Sequence, residues 1–203
     1  MFKEAYKSFV KDIFNNLKKS YKKFYLSIDT HYDGYYRMRV DLELIHKFKK
    51  EKGSNSSYKF IAITLGTEDF SLIIYCDILV KGDSLLNHVE EILHFAINDL
   101  GINPSDIIVL TDREFKDFEI IKIFERYGCN SFIPKNSRIK YYLENEYEKG
   151  ENWKFDYFID QKTISKLVIA EDEIITNNEK KKIYYTFLTN IDFDNPEVVE
   201  KLN

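Results

Sequence analysis

The amino-acid sequence predicts an α/β fold, in which helices flank a mixed β-sheet. One observation is a pair of β-branched, aromatic-rich runs, residues 58–66 and 70–80, whose separation by three polar residues predicts a hairpin. Another is a pair of amphipathic helical patterns, residues 83–101 and 117–128, each of which ends in glycine. β-Prone runs precede and follow the second helix. Because hairpins connect antiparallel strands and helical crossovers connect parallel ones, the sheet should contain both kinds of neighbour.

The elements are expected in the order helix, strand, hairpin, helix, strand, helix and strand, followed by three more strands. The pattern at 83–101 is the clearest helix, because apolar residues recur at helical spacing before Gly101. Composition predicts a loop at GSNSS (53–57) and an irregular stretch at 140–153, while 35–52 is ambiguous. The other predicted elements are a helix at 1–20 and strands at 24–29, 106–110, 130–136, 153–160, 165–174 and 181–191.

Composition narrows the class of protein. The chain has 203 residues, of which 44% are hydrophobic, so one compact domain with a substantial core is expected. No apolar run is long enough to span a bilayer, and the charged start MFKEAYKSFVKDIF does not resemble a signal peptide. The two cysteines predict no disulfide framework. We therefore expect reduced thiols in a cytoplasmic protein without a membrane partner.

Charge is distributed unevenly along the chain. The net charge of −4 argues against a protein that coats nucleic acid, yet residues 1–23 hold seven lysines and two acids, a local charge of +5. Such a segment suits contact with phosphates. The alternative is the solvated side of an amphipathic helix, whose apolar side would carry Phe2, Ala5, Tyr6, Phe9, Ile13 and Phe14.

Two predicted strands end on an aspartate, Asp29 after FYLSI and Asp112 after IIVLT. If these strands are parallel neighbours, their carboxyl ends meet at one edge and the two side chains lie within several Å. Carboxylates that close repel each other unless they share a cation. Hard oxygen ligands suit Mg²⁺ or Mn²⁺, which can activate water or a 3′-hydroxyl and stabilise the leaving oxygen of a phosphodiester. Asp29 and Asp112 are therefore candidate metal ligands and catalytic residues.

Structural roles for the same residues remain open. Thr111 and Glu114 in TDRE have the spacing of a capping box, which would make Asp112 part of a helix start. Asp29 could begin an Asx turn that leads to Asp33-Gly34, and His31 would then belong to that turn.

The stretches LSIDTHYDGYY (26–36) and IIVLTDREFKDFEIIKIFERYGCNSFIPKN (107–136) resemble DDE transposases of prokaryotic insertion sequences. In that family the first catalytic Asp ends the first strand ahead of a YY pair, which Asp29 and Tyr35-Tyr36 match. The second lies in a (L/T)DR-F block before a helix and an F-I-P-K strand, which Asp112 matches. The resemblance covers roughly residues 24–195. It implies a ribonuclease-H-like catalytic domain that uses Mg²⁺ or Mn²⁺ on DNA.

The resemblance also implies a division of the chain and a departure from the family. The divisions are an N-terminal helix or remnant at 1–23, a ribonuclease-H-like core at 24–136, and a β-rich insertion with a truncated end at 137–203. The family's third acid is a Glu on a helix beyond the insertion, within a Tyr/Arg-rich motif that this sequence lacks. Glu197 and Glu200 fall too early for that position, and AEDE (170–173) is interpreted as an acidic turn. We therefore expect a truncated core with weak metal affinity and impaired strand transfer.

The resemblance leaves several partners and functions to test. Arg113 and Lys135 are candidate DNA contacts, although an exposed first-turn arginine and a solvated loop lysine are the plainer interpretations. The expected partners are insertion-sequence terminal DNA and a second copy or a full-length transposase. The functions to separate are a metal-dependent transposase core, an inactive remnant that at most binds DNA or a partner transposase, and a stand-alone ribonuclease-H-like nuclease. The nuclease would need a third acid from within the chain.

Overall fold

The structure is a computed structural model that describes residues 2–34, 44–51, 54–112, 115, 118–135, 139–148, 151–158, 164–176 and 179–194. The helices are α1 (Phe2–Ser20), α2 (Leu85–His94), α3 (Phe118–Tyr127) and α4 (Ile139–Asn145); a π-helical turn, Phe95–Asp99, continues α2. The strands are β1 (Phe24–Gly34), β2 (Ile45–Glu51), β3 (Ser54–Gly66), β4 (Ser71–Ile78), β5 (Ile107–Thr111), β6 (Asn130–Pro134), β7 (Lys154–Phe158), β8 (Ile164–Thr176) and β9 (Glu179–Thr189).

Within the described residues, nine strands form one mixed sheet, in which eight follow the order β2-β3-β1-β5-β6-β9-β8-β7 and the ninth, β4, pairs with β3. The strand β3 pairs with β1 along one side, and along the other side it pairs first with β2 and then with β4. The pairs β1–β5 and β5–β6 are parallel, and the remaining pairs are antiparallel. The predicted α/β class, with its mixed sheet and flanking helices, is confirmed.

The main predicted elements are also confirmed, with shifts of a few residues at their ends. The predicted hairpin is β3–β4, and the two predicted amphipathic helices are α2 with its π-helical turn and α3. The three predicted C-terminal strands are β7, β8 and β9. These predictions succeeded because the apolar residues that face the core recur at a fixed spacing along each helix and strand.

Several local predictions are wrong. GSNSS is not a loop throughout, because residues 54–57 belong to β3 and Ser57 pairs with both Gly34 and His46. The stretch after 137 is not irregular throughout, because it contains α4. AEDE (170–173) is not a turn, because it lies inside β8 opposite residues 182–185 of β9. In each case pairing or packing with distant residues decides the conformation of a polar segment.

A large hydrophobic core lies on one face of the sheet, where α1, α2 and α3 cover it. The fully buried members include Phe14 of α1, Leu93 of α2, Phe124 of α3 and Leu26 of β1. A smaller cluster, which contains Phe132, Val168 and Phe187 with Trp153 and Phe193, packs elsewhere on the strands β6, β9 and β8. The face of β1 that bears Asp29 belongs to neither cluster, so it stays accessible to solvent.

The C-terminal strands extend the same sheet, because β9 pairs with β6 through Phe132–Thr189, Ile133–Leu188 and Pro134–Phe187. Side-chain hydrogen bonds reinforce this junction. The Asn190 Oδ1 accepts from the Ser131 N–H at 2.8 Å, and the Asn190 Nδ2 donates to the Cys129 carbonyl at 3.0 Å. Residues 130–134 and 187–190 are therefore held together at both the backbone and the side-chain level.

The basic N-terminal segment is an amphipathic helix, as predicted, but its predicted apolar side is partly wrong, because Ala5 and Phe9 are exposed and Val10 is buried instead. Val10 and Phe14 are 1% and 0% exposed, whereas Lys11 lies on the solvent side. The Lys18 ammonium donates to the Leu100 carbonyl and ties the end of α1 to the end of the π-helical turn. None of the described helices is both long and apolar enough to cross a lipid bilayer.

Candidate metal and DNA site

Asp29 and Asp112 occupy neighbouring positions on two parallel strands. The β1–β5 pairing runs from Phe24–Ile107 to Ile28–Thr111, so the next position places Asp29 beside Asp112. The Asp112 N–H donates to the Ile28 carbonyl at 3.4 Å, which completes this ladder. Because neighbouring strands lie about 4.8 Å apart, the two carboxylates start from backbone positions only about 5 Å from each other.

Both aspartates are exposed, whereas the residues before them are buried. Ile28 is 2% exposed within the helix-covered core, and Thr111 is 8% exposed. Since side chains alternate between the faces of a strand, Asp29 points to the face opposite Ile28. On its other side Asp29 lies opposite Ala62 of β3, whose small side chain leaves that face open. The arrangement provides two hard oxygen donors on an accessible surface, which is the donor set that Mg²⁺ and Mn²⁺ prefer.

The strand β1 does not end at Asp29, so that part of the prediction is wrong. The strand continues for five more residues to Gly34, and its second half pairs with residues 57–61 of β3. Asp29 therefore does not begin a turn, and His31 lies in the same strand and on the same face rather than in a turn. The two aspartates are neighbours nevertheless, because their positions depend on the β1–β5 register and not on where β1 ends.

A helix start at Asp112 is not found either. The helix α3 begins at Phe118, and the residue after β5 instead forms a turn in which the Phe115 N–H donates to the Asp112 carbonyl at 3.1 Å. The buried Thr111 hydroxyl has no hydrogen-bond partner among the residues that the structure describes. Glu114, the other half of the suggested capping box, lies outside those residues.

A third acid does not join the pair within the described part of the chain, where no group of three His, Cys, Asp or Glu side chains suits a metal ion. The stand-alone nuclease, which requires an internal third acid, therefore gains no support from those residues. Glu197 and Glu200 lie outside the described residues, as do Arg113 and the Tyr35-Tyr36 pair. The proposed DNA contact of Arg113 stays a prediction.

Lys135 directly follows β6, the strand next to β5, so it lies at the same edge of the sheet as Asp112. Its backbone continues the β6–β9 pairing, since its N–H donates to the Thr186 carbonyl at 2.8 Å and its carbonyl accepts from the Thr186 hydroxyl. The ammonium lies 5.8 Å from the ring centroid of Tyr157 in β7, within the range of a cation–π contact. Its role towards DNA stays a prediction.

Comparison with known proteins gives a likeness of fold. No protein-family model matches the sequence, and no curated protein matches it. One similar solved structure is a piggyBac transposase synaptic complex with hairpin DNA, with a TM-score of 0.51 and 16% identity over 88% of this chain. Another is the Argonaute of Marinitoga piezophila in complex with guide RNA and target DNA, with a TM-score of 0.41 and 17% identity over 92% of this chain.

The chain therefore shares a fold with part of the piggyBac transposase chain. The matched region makes up 37% of the transposase chain, so this chain spans little more than a third of that protein's length. The Argonaute likeness is too remote to add to the argument. At these identities the similarity concerns the arrangement of strands and helices, and the chemistry has to be argued from the residues themselves.

Proposed function

We propose that this chain is a transposase catalytic-domain protein that cleaves and joins DNA at the ends of an insertion sequence, using Mg²⁺ or Mn²⁺. The observation that supports the proposal is the register of Asp29 and Asp112, which puts two exposed carboxylates side by side on one face of the sheet. The transposase-type fold makes phosphoryl transfer the reaction class in which such a pair is most useful.

In this proposal Asp29 and Asp112 would hold the divalent ion, which would lower the pKa of bound water and neutralise charge on the phosphodiester. Because carboxylates repel a phosphodiester, the ion would supply the attraction that brings the reacting phosphate to this edge of the sheet. Burial of Ile28 and Thr111 directly before them fixes the backbone positions from which the two side chains start. The open face beside Ala62 gives the sugar–phosphate chain access to the site.

Metal affinity should be weak without DNA. The described residues supply two carboxylates, and Mg²⁺ commonly keeps several waters and takes its remaining ligands from substrate phosphates. We expect DNA to raise the apparent affinity for the ion. This same shortage of ligands favours the second candidate function, an inactive remnant that binds DNA without cutting it.

The experiment is a nicking assay on a supercoiled plasmid that carries the DNA flanking this gene, combined with Mn²⁺ titration of the protein by calorimetry. We expect Asp29→Asn and Asp112→Asn each to lower the nicking rate at least about 100-fold, because each removes a charge that the reacting ion needs. Both variants should also weaken Mn²⁺ binding. The matched control is Asp33→Asn, an exposed aspartate in β1 about 13 Å beyond Asp29, which should change neither quantity.

The outcomes separate the candidates. Nicking by the wild type that both site variants abolish supports the catalytic proposal. DNA binding with no nicking in Mg²⁺ or Mn²⁺ would favour the remnant. Equal losses for Asp33→Asn and Asp29→Asn would contradict the assigned site, because a general loss of surface charge would then explain the effect.

A further inference from the structure

A group of polar side chains links β4 to α2 on the helix-covered face of the sheet. Tyr75 of β4 lies opposite Ile63 of β3, so its ring points to that face. The Tyr75 hydroxyl oxygen lies 2.7 Å from Nδ1 of His88 in α2, and the two ring centroids are 5.8 Å apart. The same oxygen lies 3.3 Å from a carboxylate oxygen of Asp77. Tyr75 therefore connects a side chain of its own strand with one of the helix.

The other nitrogen of the His88 ring faces a second acid. Nε2 lies 4.0 Å from a carboxylate oxygen of Asp83, in the turn that leads into α2. That oxygen also accepts from the Val80 N–H at 2.8 Å, which holds the carboxylate in place. In the same way, an Asp77 oxygen accepts from the Ile78 N–H at 2.9 Å. The His88 side chain is only 17% exposed, so it depends on these neighbours more than on water.

The protons available to this group depend on the charge of His88. Burial and the nearby Asp77 and Glu91 carboxylates raise the pKa of Tyr75, so its hydroxyl keeps its one proton wherever histidine titrates. If that proton is donated to Asp77, the contact with His88 needs a proton on Nδ1. A neutral ring protonated at Nδ1 turns the lone pair of Nε2 towards the Asp83 carboxylate. Only the imidazolium has a proton on each nitrogen and satisfies both neighbours.

The charged groups around His88 are mainly acidic. Three carboxylates lie close to the Tyr75–His88 contact, those of Asp77, Asp83 and Glu91. The lysine of the same turn, Lys81, is exposed and forms no ion pair with another described residue. Arg126 of α3, the helix that packs beside α2, is ion-paired with Glu90. A positive ring at this position therefore meets acids on both β4 and the start of α2.

We propose that Asp77, Tyr75, His88 and Asp83 form a pH-sensitive latch, in which protonation of His88 fastens the start of α2 to β4. When the ring is neutral, either Asp77 loses its hydrogen bond or Asp83 faces a lone pair, and the attachment of α2 loosens. The stabilisation is present at low pH and is lost as the pH rises through the titration of the imidazole, between about pH 8 and 5. The latch is separate from the Asp29–Asp112 site and does not depend on DNA cleavage.

The experiment compares thermal unfolding of the wild type and His88→Gln at about pH 5 and about pH 8, followed by circular dichroism. Glutamine keeps a hydrogen-bond donor and acceptor but cannot become a cation. We expect the variant to melt about 2–4 °C below the wild type at the lower pH and within about 1 °C of it at the higher. The matched control is His94→Gln, which changes an exposed histidine of the same helix and should give the same small difference at both.

Two further measurements test the latch from other sides. Tyr75→Phe removes the central hydroxyl and keeps the ring, so adding His88→Gln to it should cost less than about 1 °C even at the lower pH. Amide hydrogen exchange of the wild type needs no variant. After correction for intrinsic exchange, opening of α2 relative to α3 should be at least about threefold more frequent at the higher pH.

A melting difference for His88→Gln that is equal at both pH values would overturn the latch, because His88 would then contribute packing alone. The same pH dependence in His94→Gln would also overturn it, since overall charge would explain the effect. If His88→Gln does not fold, the exchange measurement decides, and an α2-to-α3 ratio that does not change with pH refutes the latch. None of these results bears on nicking, so the catalytic proposal stands or fails separately.

Discussion

The two cysteines, Cys129 and Cys76, differ in solvent exposure and therefore in the expected reactivity of their thiols. Cys129 follows α3 and is 1% exposed within the large core, and burial raises the pKa of its thiol to about 11. Cys76 is exposed on β4. The thiolate is the nucleophilic form, and a raised pKa keeps the Cys129 thiol protonated at pH values well above neutrality.

We expect a thiol reagent at pH 8 to label one cysteine in the native protein and two in denaturant. At that pH Cys129 is both inaccessible and protonated, because its folded pKa lies about two units above the ordinary value of 9.0. Mass spectrometry of the labelled peptides identifies the site. In the control Cys76→Ser, native labelling should disappear, and rapid labelling of Cys129 in the native protein would contradict the assigned burial.

At the candidate site, two adjacent residues also differ in solvent exposure. Thr111 and Asp112 are adjacent, yet the first is 8% exposed and the second lies in solvent. The difference arises because β5 ends at Thr111, and Asp112 beyond it accepts a backbone hydrogen bond from the Phe115 N–H. If β5 were one residue longer, Asp112 would lie within the sheet; because β5 ends at Thr111, Asp112 lies at the edge of the sheet.

Among the elements, α1 contributes to the core more than its lysine-rich sequence suggests. Phe14 is fully buried, and its ring centroid lies 6.0 Å from that of Phe24 at the start of β1. Tyr6 donates a hydrogen bond to the Ile73 carbonyl of β4. The helix therefore packs across the first half of the sheet, on the face opposite Asp29.

Two phenylalanines on this helix give a matched pair of substitutions. We expect Phe14→Ala to lower the free energy of unfolding by about 3–5 kcal/mol, because it leaves a cavity in a closely packed core. The matched substitution Phe9→Ala should lower the free energy of unfolding by less than about 1 kcal/mol, because Phe9 is 53% exposed. Urea unfolding followed by circular dichroism provides the measurement. Similar losses for both variants would mean that α1 does not pack as described.

At the scale of the whole molecule, the described strands form one continuous sheet, and the core includes residues on both sides of the division at 136–137 that the resemblance implied. Leu167 of β8 and Leu188 of β9 belong to the same hydrophobic core as Leu26 and Phe124. The β6–β9 pairs supply the backbone link. Elements that share both a core and a sheet should unfold together.

The lone tryptophan makes this cooperativity measurable. Trp153 is 5% exposed in the smaller cluster with Phe132 and Phe187, so its fluorescence reports on the C-terminal strands. Far-UV circular dichroism reports on the entire chain. We expect the two signals to give the same urea midpoint and slope. An earlier fluorescence transition would show that residues after 136 form an independently unfolding unit.

Local sequence patterns were sufficient for the type and approximate position of most helices and strands. Residues 83–101 and 117–128 repeat apolar side chains at helical spacing, and 58–66 and 70–80 are β-branched runs separated by a short turn. Such signals depend on neighbours in the chain, so they are visible without the fold. The pairing of Asp29 with Asp112 also followed from the sequence, because a right-handed crossover makes the two strands parallel.

Tertiary structure alone decided how far each strand runs and what lies beside it. Ser57 is fully buried in β3 although its segment has the composition of a loop, because β1 and β2 pair with it on either side. The β6–β9 junction likewise depends on register between distant segments. Register is set by the packing of both partner strands, and so one strand's sequence does not encode it.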